Sequence, residues 1–162
     1  MRKIFILMIF SLMITFLSIS KVNANNLDTQ LYEQIQRYCI EYGDEYGIAP
    51  ELLMAIVERE SMGNPKAENN GCKGLMQINE KFHIDRMKRL KVKDLYEIKG
   101  NIHVGTDYLL ELFEEYNEIY LVLMVYNMGP TRAIELWRQD KISNYAISVA
   151  KRSAELERIH GK

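Results

Sequence analysis

From Asp28 onward the apolar residues recur every three to four positions rather than alternating, which is the pattern of helices that bury one face. Leu31, Ile35, Tyr38, Cys39 and Tyr42 form one such stripe and predict a first helix over 28–46. Gly47 breaks it, and Pro50 suits the first turn of a second helix ending near Glu60. The stretch 61–74, rich in Asn and Gly, predicts a loop. A short helical turn is expected over 75–78, followed by a helix through His83 to Leu90 whose solvated face is Lys and Arg. Asn101 is expected to cap a strong helix carrying Ile102, Gly105, Tyr108, Leu109, Leu112 and Phe113 on one side. The segment 119–126 is apolar nearly all round, and its Leu and Met content favours a buried helix over a strand. Gly129-Pro130 ends it, Thr131 is expected to cap a helix through Trp137, and Ser143 a last one from Asn144 to about Ile159. Without repeats or a second compositional block, the expected fold class is all-α, in a single helical domain.

The N-terminus follows another rule. Ile4 to Ile19 is apolar except for Ser11, Thr15 and Ser18, follows Arg2 and Lys3, and leads to Val22-Asn23-Ala24, with no acid before Asp28. This is the arrangement of a secretory signal cut after Ala24, so residues 1–24 are expected to be a signal peptide and 25–162 the mature domain. The alternative is an uncleaved anchor, for which the apolar run is short. Losing 24 of 162 residues leaves 138, with 18 Lys plus Arg against 22 Asp plus Glu, a net charge of about −4. That size suits one domain with its own core, and the charge argues against nucleic acid or an anionic membrane as partner. Cys39 and Cys72 allow one intramolecular bridge, closing a loop of about 34 residues and contributing about 3–4 kcal/mol, and a disulfide is expected between them. No third thiol or clustered histidine accompanies them, so no metal is expected.

Glu60 is the first candidate for chemistry. Leu53, Ile56 and Val57 precede it by seven, four and three positions, so on a helix it falls within the apolar stripe, whereas Glu51 and Glu58 are expected together on the polar side. A carboxylate on the core side of a last turn, just before a Gly- and Asn-rich loop, reads as the wall of a cleft. Desolvation there would raise its pKa toward that of a general acid. The same spacing also fits a glutamate whose stem packs while its carboxylate meets an amide or arginine.

Glu60-Ser61 with Asn64-Pro65 and Ala67, then Gly74-Leu75-Met76-Gln77-Ile78, then Tyr126-Asn127 with Gly129-Pro130, resembles the lytic transglycosylase domain of the soluble type, a relative of goose-type lysozyme in the lysozyme-like superfamily. Asn101-Ile102, Gly105 and Tyr108-Leu109 match the helix between its second and third motifs, so the resemblance covers roughly 47–129. Each motif is weak alone; their order and separations together are specific. Val125 stands where many members have Ala, reshaping the wall beside Tyr126, and Asn79 where many have Pro.

The resemblance implies a lysozyme-like fold and a β-1,4 cut between N-acetylmuramic acid and N-acetylglucosamine of peptidoglycan, made without water or cofactor and leaving a 1,6-anhydromuramic acid end. It implies Glu60 as acid and then base, Ser61 directed at the sugar's N-acetyl group or at Glu60, and Met76 packed on the sugar. Gln77 would offer its amide to the sugar, Tyr126 would orient Glu60, and Asn127 would hold the cleft edge. Tyr32, Tyr38, Tyr42, Tyr46 and Tyr108, which lie at helical spacing, and Trp137 are read as packing residues. A monomer, secreted or periplasmic and acting on the cell wall, is expected. Its small size suggests a tool that opens the wall for a secretion, conjugation, sporulation or phage-like apparatus. A hydrolytic muramidase and an inactive glycan-binding or assembly module are the alternatives.

Overall fold

The computed structural model describes residues 28–162, and the expected signal segment, 1–24, lies outside them. Helix α1 covers 28–46. Six further helices follow: α2 Pro50–Ser61, α3 Glu80–Arg89, α4 Ile98–Tyr116, α5 Ile119–Met128, α6 Pro130–Trp137 and α7 Asn144–Ile159. The all-α expectation holds, with one addition. Three two-residue strands, β1 Glu68–Asn69, β2 Cys72–Lys73 and β3 Ile78–Asn79, form an antiparallel sheet in the order β1-β2-β3. Asn69 pairs with Cys72 across Asn70-Gly71, both at positive φ (50° and 81°), the backbone twist that a two-residue hairpin needs.

Within residues 35–162 the core gathers around α5, whose Leu121 to Val125 are all buried. α5 packs against α4, α6 and α7, and α2 against α7. Pro50 sits at the start of α2, where its missing N–H costs nothing, and Ser143 caps α7 by accepting from the Ala146 amide at 3.2 Å.

Five expectations need correction. Thr131 does not cap α6, which begins one residue earlier at Pro130 with Gly129 in the cap position. Asn101 is no cap: α4 begins three residues earlier, and the buried Asn101 side chain points at the loop before β3. Residues 75–77 are a turn leading into β3, which starts at Ile78, and not a helical turn. Glu51 is not on a solvated face; it is 2% exposed, with His160 Nδ1 and Lys162 Nζ each 2.9 Å from its carboxylate. The C-terminal segment covers that side of α2. Finally, Cys39 and Cys72 are free thiols. Cys39 faces the core of its helix with no exposed surface, and burial pushes its thiol up to about 12, whereas Cys72 is on the middle strand and lines a cleft.

Candidate active site

The last turn of α2 and the loop before β3 bring the motif residues to one groove. Its first lobe, about 650 Å³, runs between the end of α2 and β1 and includes Glu60, Ser61 and Met62. The second, about 530 Å³, lies between α3 and the α5–α6 junction and is lined by Cys72, Tyr108, Tyr126 and Asn127 among others. Gln77 lines both. The reshaped wall expected at Val125 also faces the second lobe.

Glu60 keeps the inward direction that its spacing implied. Burial raises its pKa above the usual carboxylate range, opposed by a hydrogen bond from Tyr145 and by the charge of Arg59. Tyr145 donates its phenol to Glu60 Oε1 at 2.6 Å. Burial, and then the charge of Glu60, push the Tyr145 phenol far upward, so it stays a donor through the physiological range. Among the described residues no basic side chain pairs with Glu60. Tyr145 was missed from sequence: it sits 85 positions away, in the first turn of α7, and nothing around it marks a site.

The Tyr126 hydroxyl, expected to orient Glu60, is bonded elsewhere. It donates to the Met76 carbonyl at 2.7 Å, tying α5 to the loop before β3. Burial raises its pKa, with the negative charge of Glu60 adding to the rise, so the two groups lie within electrostatic reach. Asn101 anchors the same loop from the other side. Its amide donates to the carbonyls of Lys73 and Leu95 at 2.8 Å, and its oxygen accepts from the Met76 amide at 2.8 Å. The close approach requires glycine at 74: φ is 73°, and a Cβ would collide with the Asn101 amide and the Leu95 carbonyl.

Gln77 lies at φ 49°, and its amide nitrogen donates to Gly74 O at 3.0 Å and Ala67 O at 3.2 Å. The donor is thus committed to the loop, and the side-chain oxygen, an acceptor, remains for a ligand. Met76 does not face the groove at all. It has no exposed surface and packs against Gly105, where a Cβ would collide with its sulfur, so it supports the floor from beneath. Ser61 lines the first lobe, but its hydroxyl is committed to its own helix, donating to the Val57 carbonyl at 3.1 Å. Asn127 is exposed on the edge of the second lobe. Tyr108, read as packing, lines that lobe as well, stacked obliquely between His83 and Tyr126 with centroids at 4.6 and 5.4 Å.

The model of the transglycosylase SLT domain matches residues 37–148. This chain belongs to the transglycosylase SLT domain family. The SLT chain is 31% identical over 90 residues to the transglycosylase of Enterobacteria phage PRD1, covering 55% of this chain and 32% of that one. It is 28% identical over 114 residues to the membrane-bound lytic murein transglycosylase E of Buchnera aphidicola, covering 60% and 51%. The chain thus spans about a third to a half of the curated relatives it matches. In structure it resembles the 70 kDa soluble lytic transglycosylase of Escherichia coli, with a TM-score of 0.67 at 23% identity over 78% of this chain and 24% of that one. An inactive mutant of the Pseudomonas aeruginosa lytic transglycosylase Slt gives the same TM-score at 18% identity, over 76% and 24%. These likenesses show that the domain shares the fold of the two transglycosylases over the matched residues.

Proposed function

We propose that this SLT domain is an exported peptidoglycan lytic transglycosylase with Glu60 as its catalytic residue. The observation that carries the reading is a single desolvated glutamate on the groove wall, its pKa raised by burial and its carboxyl held by one phenol with no cation paired to it. Such a group retains its proton at higher pH than an ordinary glutamate, as a general acid must. The names of the curated relatives support peptidoglycan as substrate. The solved Pseudomonas aeruginosa neighbour is inactive with one glutamate changed to glutamine, which supports a mechanism resting on one such group.

Protonated Glu60 gives its proton to the bridging oxygen as the C1–O bond of N-acetylmuramic acid breaks. The resulting carboxylate then takes the proton of that sugar's C6 hydroxyl, and O6 closes on C1. No water is consumed, Glu60 ends protonated, and the products are a free 4-hydroxyl and a 1,6-anhydro end. Tyr145 would steady the carboxylate between the two transfers, because its hydrogen bond favours the charged form. Gln77 would accept a hydrogen bond from the sugar, with Tyr126 and Asn101 fixing the loop that carries it. Ser61 and Met76 would act on the groove through the backbone they brace, and Asn127 at the edge of the second lobe. The signal-like N-terminus supports export to the cell wall, and the phage PRD1 relative supports local opening of the wall by a phage-like or secretion apparatus.

A hydrolytic muramidase is the second reading, and one observation speaks for it. Glu68 on β1 lines the same lobe as Glu60, where a second carboxylate could activate water. Glu68 is exposed and accepts from the Tyr96 hydroxyl at 2.6 Å, which favours a surface role. Digestion of purified peptidoglycan followed by mass analysis separates the two. Anhydromuramic ends are expected, and reducing ends made with water would overturn the transglycosylase reading.

A further inference from the structure

Among the described residues the two most exposed large apolar side chains are Met62, at 93%, and Phe82, at 81%. Scattered apolar residues on a surface are ordinary, but these two both line the groove, one in each lobe. Met62 also breaks a local rule. It ends α2 in the left-handed conformation, φ 53°, a position that glycine or asparagine takes with less strain. Phe82 projects from the first turn of α3, three residues after Asn79 caps that helix through the Lys81 amide. Neither contributes a buried surface to the fold, so each leaves its apolar area for something that enters the groove.

Glu60 stands in the first lobe, and the Tyr126 phenol of the second lobe responds to its charge. Gln77 lines both lobes, so a strand that runs from one into the other passes it, with Glu60 and Met62 on one side and Phe82 on the other. Pyranose rings have apolar C–H faces, and N-acetyl groups carry a methyl. An exposed phenyl ring and a thioether stem suit those surfaces, while the polar rim of Gln77, Asn69 and Asn127 suits the hydroxyls.

We infer that Met62 and Phe82 are sugar-contacting platforms on opposite sides of the cleaved bond, and that the domain grips a glycan strand along both lobes and cuts it internally. The inference rests on the proposed action on peptidoglycan. Binding is read separately from cleavage, so that the two can fail apart.

The test compares wild type, Phe82→Ala and Met62→Ser on glycan strands freed of their peptides, with thermal melting to verify folding. Both sites are exposed, so melting should be unchanged. In each variant KM for long strands is expected to rise about three- to tenfold with kcat within about twofold, and a double variant should lose more. Early products of the wild type should be oligosaccharides of mixed length. Binding of the same strands to Glu60→Gln should weaken by a similar factor when either platform is removed. Unchanged KM and unchanged binding in both variants would overturn the platforms, and release of disaccharides alone would overturn the internal cut. If the wild type leaves the strands intact while Glu60→Gln still binds them through both platforms, the enzymatic reading fails and the platforms stand.

Discussion

Glu51 and Glu60 sit nine residues apart on α2, both withdrawn from water, and burial pushes the pKa of each upward, yet they end on opposite sides of the ordinary glutamate value. Glu51 is the less solvent-exposed of the two, but His160 and Lys162 donate to it, and its pKa falls below the usual range. Glu60 has a phenol and feels the charge of Arg59 without an ion pair to it, and its pKa rises. Depth of burial does not distinguish an acid catalyst from a structural anion. What distinguishes them is whether the fold supplies a cation at hydrogen-bonding distance. One helix thus carries a fixed charge at one end and a titratable proton at the other.

The largest separation is expected from exchanging each for glutamine. Glu60→Gln should lower the rate of peptidoglycan digestion by about 10²- to 10⁴-fold while leaving the fold intact. Glu51→Gln should lose stability while keeping its rate per folded molecule, as read by a turbidity assay beside urea unfolding. Next, His160→Ala with Lys162→Ala would leave Glu51 buried without its partners. A destabilisation of about 1–3 kcal/mol is expected, held below that of a fully buried pair because both partners are partly exposed. An unchanged urea midpoint would show that the C-terminal pair does not hold this carboxylate.

Tyr145→Phe removes the hydrogen bond that favours ionised Glu60. A loss of about tenfold in kcat is expected. The pKa of Glu60 should rise further, so the alkaline limb of the rate profile moves to higher pH. A limb that stays in place, or moves to lower pH, would mean that Tyr145 does not contact the acid in solution.

Stability against pH gives smaller effects with opposite signs. Because the folded-state pKa of Glu60 is raised, the folded protein holds its proton more tightly than the unfolded chain, and stability falls as pH rises through the interval between the two values. Glu60→Gln should therefore be more stable than wild type above that interval and gain nothing below it. The folded-state pKa of Glu51 is lowered, so its contribution is complete above the unfolded value and is lost as pH falls through the folded one. The difference between wild type and Glu51→Gln should shrink in acid. Thermal melting across pH checks both.

Much of this was readable from the chain because it depends on local spacing. The stripe of Leu53, Ile56 and Val57 faced Glu60 inward, and Ser143 marked the start of α7. What escaped depends on distant pairs. Periodicity set Glu51 on the outer side of α2, and only the return of His160, 109 residues later, turns that side into an interior. Tyr145 reaches Glu60 across 85 residues, so the spacing near either one carries no sign of the other. Strands of two residues are too short to alternate, so the Asn- and Gly-rich stretch that holds β1 and β2 reads only as a loop. Asn101 before an apolar run looks like a cap, but its amide serves a loop 25 residues upstream. An even count of cysteines says that a bridge is allowed, not that the side chains face each other.

The contrast within α2 can be measured directly from the side-chain carboxyl ¹³C resonances of the glutamates, titrated in the intact domain and assigned by loss of a signal in Glu60→Gln and Glu51→Gln. Glu60 should titrate above the ordinary glutamate value and Glu51 below it. If Glu60 titrates at or below Glu51, the phenol and the covering chain do not hold a proton on Glu60, and its assignment as the acid of the reaction is wrong.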